Sequence, residues 1–125
     1  MLKKIQLFFL FLSLLFSPAW AKNERTLNAM LAKQLQGKAE VRHYYKDKHS
    51  IIIDIETDEF VIEAGLDKRS SLDSIQQALY AAHLTGKKPL IIIYNTDNKI
   101  GIYEHRIQQA AQSKQIPVFI YTIQQ

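Results

Sequence analysis

The pattern of hydrophobic and polar residues predicts two adjacent strands in the middle of the chain. Residues 51–56 and 60–66 are rich in β-branched and aromatic residues, and Asp58 and Glu59 between them suit a two-residue turn. The register expected from this turn places Ile55 opposite Ile62 and Asp54 directly opposite Glu63. Alternation along the strands predicts one apolar face, made of Ile51, Ile53, Ile55, Ile62, Ala64 and Leu66. The other face is expected to carry Asp54, Glu56, Val61, Glu63 and Gly65.

Helical and strand patterns flank this hairpin. We expect helices over residues 22–36, from Ser70 or Ser71 to Gly86, and over 101–114. Further strands are predicted over residues 38–46, 90–94 and 117–123. The residues expected on the inner faces of the helices are Leu27, Met30, Leu31, Ala32 and Leu35, then Leu72, Ile75, Ala78, Leu79 and Ala82, then Ile102, Ile107, Ala110 and Ala111. The order αβββαβαβ predicts an α/β fold with a mixed β-sheet, antiparallel across the tight turns and parallel across the helical crossovers.

Residues 1–21 have the organisation of a secretory signal peptide. Lys3 and Lys4 form a basic start, residues 7–16 are an almost unbroken apolar run, and small residues follow where cleavage requires them. The apolar run is short for a membrane span, and an uncleaved anchor is the alternative interpretation. We therefore expect residues 22–125 to form a single periplasmic or secreted domain with no membrane attachment after cleavage.

The composition limits what holds the domain together and what it attracts. The chain has 16 basic and 12 acidic residues, and because two of the lysines belong to the signal segment, 14 basic residues remain after cleavage. Such a near balance gives no strong general attraction to polyanions. An exported chain without cysteine has no disulfides, so packing and any bound metal ion must suffice. The absence of cysteine also argues against a structural zinc site.

Asp54 and Glu63 are the main candidates for a functional site. Two carboxylates side by side on neighbouring strands are close enough to share a divalent cation, and their repulsion in a partly enclosed place is costly without a cation or a lysine. A purely structural pair is the alternative. Glu24 lies in the first turn of its helix, where the macrodipole alone favours an acid. His43 and His49 are weaker candidate ligands, because isolated histidines near strand ends are more often solvent-facing or locally hydrogen-bonded.

The element order, with one acid on the second strand and another on the third, resembles the PD-(D/E)xK nuclease superfamily. The resemblance extends from the first helix to the strand at 90–94. In that family a strand Asp and the Glu of an E-x-K triplet bind the metal ion, and Asp54 and Glu63 match these positions. Gln76 and Tyr80 match the Q-x-x-x-Y pattern of the RecB-like branch, and the sequence TGKKPLIII that follows resembles small exported bacterial members. Glu24 matches the additional acid that many members supply from the first helix.

The resemblance implies a restriction-endonuclease-like αβββαβ core with a further helix and strand. It also implies that Asp54, Glu63 and Glu24 bind Mg²⁺ or Mn²⁺, and that the protein cleaves phosphodiester bonds in a nucleic acid. Gln76 and Tyr80 would orient the site or contact the phosphate backbone.

The sequence departs from the family pattern at one position. Gly65 stands where the triplet has its lysine, and Lys68 is the nearby lysine that could reach back to stabilise charge or activate water. Two functions follow: an exported Mg²⁺-dependent nuclease, or a catalytically degenerate binding module in the periplasm that keeps the nuclease fold. Arg69, Lys87 and Lys88 are candidates for phosphate contacts or ordinary solvated charges.

Overall fold

The computed structural model describes residues 24–66 and 71–123, and of residues 71 and 72 it describes only the backbone. The predicted signal peptide and the residues Lys68, Arg69 and Ser70 lie outside these ranges. The described chain follows the predicted order αβββαβαβ. The helices are α1 (Glu24–Gln34), α2 (Ser71–Thr85) and α3 (Ile102–Ser113), and the strands are β1 (Lys38–Tyr45), β2 (His49–Glu56), β3 (Phe60–Leu66), β4 (Lys88–Asn95) and β5 (Val118–Thr122). No helix among the described residues is long and apolar enough to span a membrane.

The five strands form one mixed sheet in the order β1-β2-β3-β4-β5. The β1–β2 and β2–β3 pairs are antiparallel, and the β3–β4 and β4–β5 pairs, each joined through a helix, are parallel. Ile55 pairs with Ile62, as predicted. The turn between these strands closes where the Thr57 N–H donates to the Phe60 carbonyl oxygen at 2.9 Å, while the Thr57 hydroxyl oxygen accepts the Phe60 N–H. The expected mixed α/β fold is therefore confirmed.

Helices cover both faces of the sheet, so each face has its own core. The face beneath α1 contains Leu27 and Leu31 of that helix. The face beneath α2 and α3 contains Ala78 and Ile107. Strand β4 contributes to both cores through alternate residues, with Leu90, Ile92 and Tyr94 on the first and Ile91 and Ile93 on the second. The continuous apolar run in β4 is explained by this burial on both sides.

The alternation of side chains along β2 reverses at Asp54. Ile55 packs in the core beneath α1, whereas Ile53 packs in the core beneath α2. Ala39 pairs with Ile55 and Val41 with Ile53, so Glu40 lies opposite Asp54. Glu40 has a left-handed backbone with φ of 55°. Such a residue disrupts the regular pleat of a strand and redirects the side chains beyond it. The expectation that Ile51 and Ile53 share a face with Ile55 is therefore wrong.

Two of the predicted helix faces also need correction. In α2, Ala78 is buried as predicted, but Leu79 is 38% exposed and Ala81 is buried in its place. In α3, Ile102 is 57% exposed, because the carboxylate of Glu104 folds back to accept the Gly101 N–H at 2.9 Å. This cap buries Glu104 on the inner face with Ile107, three residues further along, and turns the first residue of the helix outward.

Candidate functional site

Asp54 lies where β2 separates from β3. The ladder between these strands has two residue pairs close to the turn, whereas β3 pairs with β4 over its whole length. Asp54 Oδ2 accepts a hydrogen bond from the Ala64 N–H at 2.9 Å. The carboxylate thus occupies the position that a backbone carbonyl would take if the ladder continued. The predicted pairing of Asp54 with Glu63 is not among the pairs of this ladder, and Asp54 instead bonds the peptide group that joins Glu63 to Ala64.

Glu63 is buried on the α2 side of the sheet, with 7% of its surface exposed, and it lines a cavity of about 480 Å³. Strands β1 and β2 supply Tyr45, Ile51 and Ile52 to the wall. Helix α2 supplies Gln76, Gln77, Tyr80 and Ala81. Gln76 and Tyr80, singled out by the Q-x-x-x-Y spacing, therefore share one cavity with Glu63. The cavity lies beside the opening between β2 and β3, because residues of both strands line it.

Glu24 and Asp54 act together on a buried tyrosine beneath α1. Burial raises the pKa of the Tyr94 phenol well above its usual range, and the negative charges of Asp54 and Glu24 raise it further. The Tyr94 hydroxyl donates to Asn28 Oδ1 at 2.7 Å. Asn28 lies one helical turn after Glu24, so both side chains lie on the same side of α1. The charges of Asp54 and Glu24 therefore both act on Tyr94, and Asp54 is joined by a hydrogen bond to the strand segment that carries Glu63.

The acids suit a hard cation better than a zinc ion. Within residues 24–66 and 71–123 no three or more His, Cys, Asp or Glu side chains converge as a metal centre. A cation bound by Asp54 and Glu63 would complete its shell with water or phosphate oxygens. Mg²⁺ accepts this arrangement, because it is commonly held by one or two carboxylates and keeps several waters. Both side chains supply only oxygen, which fits Mg²⁺ or Mn²⁺.

The two histidines considered as ligands have other contacts. His43 Nε2 lies 2.8 Å from Glu56 Oε2, within hydrogen-bond distance. The ring of His49 stacks on Tyr45, with ring centroids 6.0 Å apart and planes inclined by 25°. The contact of His43 agrees with the locally hydrogen-bonded alternative, and the exposed His49 agrees with the solvent-facing one.

Lys87 also has a local role. Its ammonium group donates to Glu56 Oε1 at 3.0 Å and to the Thr57 carbonyl oxygen at 2.7 Å. Burial acts to raise the pKa of Glu56, but the hydrogen bonds and charges of His43 and Lys87 outweigh it and hold that pKa below its usual value. Lys87 therefore fixes the end of the β2–β3 hairpin to the start of β4. Lys88, further out, lies 3.4 Å from Glu59.

An aromatic row borders the cavity. The rings of Tyr45 and Tyr80 meet edge to face with centroids 5.4 Å apart. Tyr80 in turn stacks on His83, at 6.3 Å and 22°. With His49 on the far side of Tyr45, the four rings run from the β1–β2 turn to α2. The sequence pattern singled out Gln76 and Tyr80 but did not reveal Tyr45 as a partner of Tyr80.

Asn28 and Tyr94 were likewise absent from the predicted site. Each lies inside an apolar stretch, and the contact between them spans 66 positions in the sequence. A polar residue on the apolar face of α1, one turn after Glu24, was the available signal for Asn28.

Comparison of the chain with protein families, with curated proteins and with solved structures found no match. Membership of the PD-(D/E)xK superfamily therefore stays a prediction that depends on the residues and the topology described above.

Proposed function

We propose that this protein is an exported, metal-dependent nuclease with a restriction-endonuclease-like core. The observation that carries the proposal is the position of Asp54 at the point where β2 separates from β3. Its carboxylate is bonded to the Ala64 N–H, and the preceding residue is the buried Glu63. The Asp54 carboxylate is thus anchored to the peptide group next to Glu63, whose own side chain lines the cavity. A buried carboxylate such as that of Glu63, with a second, partly buried acid near it in the sheet, is typical of sites that bind a cation.

The side chains divide into distinct roles in this proposal. Asp54 and Glu63 would hold Mg²⁺ or Mn²⁺, with Glu24 of α1 as the further acid. The ion would supply positive charge to the phosphate and lower the pKa of an attacking water. Gln76 and Tyr80, on the same cavity wall as Glu63, would orient the phosphodiester. Lys68, outside the described residues, is proposed to take the role of the missing triplet lysine.

A catalytically degenerate binding module is the second candidate. Gly65 follows Glu63 by two residues on the same side of β3, so the position of the family's lysine has no side chain. Lys87 does not replace it, because its ammonium group bonds Glu56 and the Thr57 carbonyl at the far end of the hairpin. If Lys68 does not take the role of the triplet lysine, the site keeps its acids but lacks the ammonium group that would help to activate water.

Titration calorimetry with Mg²⁺ and with Mn²⁺, in the presence and absence of a short oligonucleotide, tests the metal site. The variant is the double substitution Asp54→Asn/Glu63→Gln. The matched control is Asp58→Asn/Glu59→Gln, which makes the same change of charge at the turn of the same hairpin. We expect the wild type and the control to bind the ion and the variant to lose binding. Cleavage of single- and double-stranded DNA and RNA is then measured with and without Mg²⁺.

The outcomes separate the two candidates. Metal binding together with cleavage that is lost in the Asp54→Asn/Glu63→Gln variant and in Lys68→Gln supports the nuclease. Metal binding without cleavage of any substrate supports the degenerate module. A wild type that binds no divalent ion even with an oligonucleotide present, or a variant that binds as well as the wild type, refutes the metal site.

A further inference from the structure

We infer that the nucleic acid recognised by this protein is single-stranded, and that its bases stack on the row formed by His49, Tyr45, Tyr80 and His83. The inference deepens the proposed function, on which it rests for the class of substrate. It adds a binding surface that the metal-binding acids do not include.

The geometry of the row suits base stacking. Its end rings, His49 and His83, are exposed, so an unpaired base can extend the row at either end. Its inner rings, Tyr45 and Tyr80, line the same cavity as Glu63. A cavity of about 480 Å³ falls within the usual range for a small-molecule or nucleotide pocket, roughly 300–1,000 Å³. A strand stacked along the row would therefore run past the proposed site of cleavage.

The charge around the row favours the same ligand. Lys46 and Lys48 are exposed in the tight turn that connects Tyr45 to His49, with Asp47 between them. Cations beside aromatic rings are the combination by which sequence-tolerant proteins bind unpaired strands. The near balance of charge expected after signal cleavage does not provide the broad basic face that duplex binding through phosphates requires. Stacking is available only to bases that are not already paired in a duplex.

The contact between Tyr45 and Tyr80 also connects β1 to α2, so replacing either tyrosine would disturb packing. The exposed histidines at the ends are better positions to test. The variant His49→Ala/His83→Ala removes both end rings, and His49→Phe/His83→Phe keeps aromatic faces without imidazole nitrogens. Tyr44→Ala is the matched control, because Tyr44 is 73% exposed and immediately precedes Tyr45 in the same strand.

Fluorescence anisotropy with labelled dT12, rU12 and a 12-base-pair duplex measures binding in EDTA. The chelator removes divalent ions, so failure of the metal site and failure of this inference are separate results. We expect tighter binding of the single strands than of the duplex. The alanine variant, which removes two stacking rings, should weaken binding by about thirtyfold or more, since stacking contributes about 1–3 kcal/mol per base. The phenylalanine variant and Tyr44→Ala should stay within about twofold of the wild type. Comparison of dT12 with rU12 shows whether the protein prefers single-stranded DNA or single-stranded RNA.

The turn lysines provide a second readout. Lys46→Gln/Lys48→Gln should reduce the slope of log K against log salt concentration by about 1.4, because each phosphate contact on a single strand contributes about 0.7. Equal binding of duplex and single strands, a phenylalanine variant as weak as the alanine variant, or no binding of any oligonucleotide would overturn the inference. Far-ultraviolet circular dichroism of each variant verifies that the fold is retained.

Discussion

Glu56 joins three parts of the fold, and its removal should destabilise the protein measurably. Its two carboxylate oxygens bond the His43 ring and the Lys87 ammonium group at 2.8 and 3.0 Å. The Glu56 side chain is only 12% exposed. A surface ion pair contributes about 0–1 kcal/mol, and removing one partner of a fully buried pair costs about 3–5 kcal/mol. The partly buried arrangement lies between these limits, so we expect Glu56→Gln to lower the free energy of unfolding by about 2 kcal/mol, in the range found for hydrogen bonds to charged groups.

The pH dependence of this effect has a definite sign. The pKa of Glu56 is lower in the folded protein than its ordinary value of 4.5. A carboxylate of this kind contributes stability that is present above the unfolded pKa and is lost as the pH falls through the folded pKa. The difference between the wild type and Glu56→Gln should therefore be complete at pH 7, and it should decrease once the pH falls below 4.5.

Urea unfolding followed by circular dichroism, at pH 7 and at a series of pH values down to 3, measures both effects. Glu59→Gln is the control, since it removes an acid from the same hairpin, and the ion-pair partner of Glu59, Lys88, is largely exposed. We expect that substitution to change the free energy of unfolding by less than about 1 kcal/mol. The reasoning fails if the two variants are equally stable at pH 7, or if the deficit of Glu56→Gln grows in acid.

Two further substitutions test the packing around the site. Tyr94→Phe removes the hydroxyl that donates to Asn28, so urea unfolding should show a loss of about 1–2 kcal/mol in the free energy of unfolding. The control is Tyr103→Phe, which should have little effect because Tyr103 is exposed. Equal losses in the two variants would contradict the role of the buried bond. Gly37→Ala should lower the thermal unfolding midpoint, because its new Cβ would lie 2.5 Å from the Glu56 carbonyl oxygen. Such overpacking costs about 1–3 kcal/mol, and an unchanged midpoint would show that the backbone adjusts freely.

Local patterns in the sequence were sufficient for much of the fold. The hairpin turn at Asp58 and Glu59 follows from two short β-rich runs, and the burial of β4 on both faces follows from its continuous apolar composition. These features depend on residues close together in the chain, where turn chemistry and periodicity act directly. The same local information predicted that Gln76 and Tyr80 lie on one side of a helix.

The features that the sequence did not predict depend on backbone exceptions or distant contacts. Nothing about a glutamate in the sequence indicates a left-handed backbone at that position. The reversal of side-chain alternation at Asp54, opposite Glu40, therefore could not be predicted. That reversal separates Ile53 from Ile55 and directs Asp54 toward the Ala64 N–H. The bond between Asn28 and Tyr94 likewise arises only when α1 lies on β4 in the folded sheet.

The left-handed residue in β1 has a consequence for how copies of this protein meet one another. Among the described strands β1 lies at an edge of the sheet, and an edge strand can pair with a strand of another molecule. The irregularity at Glu40 interrupts that edge, and the exposed side chains around it, from Lys38 to Arg42, alternate in charge. The opposite edge, β5, has only five residues. Both edges therefore carry features that oppose intermolecular strand addition, which protects a small domain from aggregation.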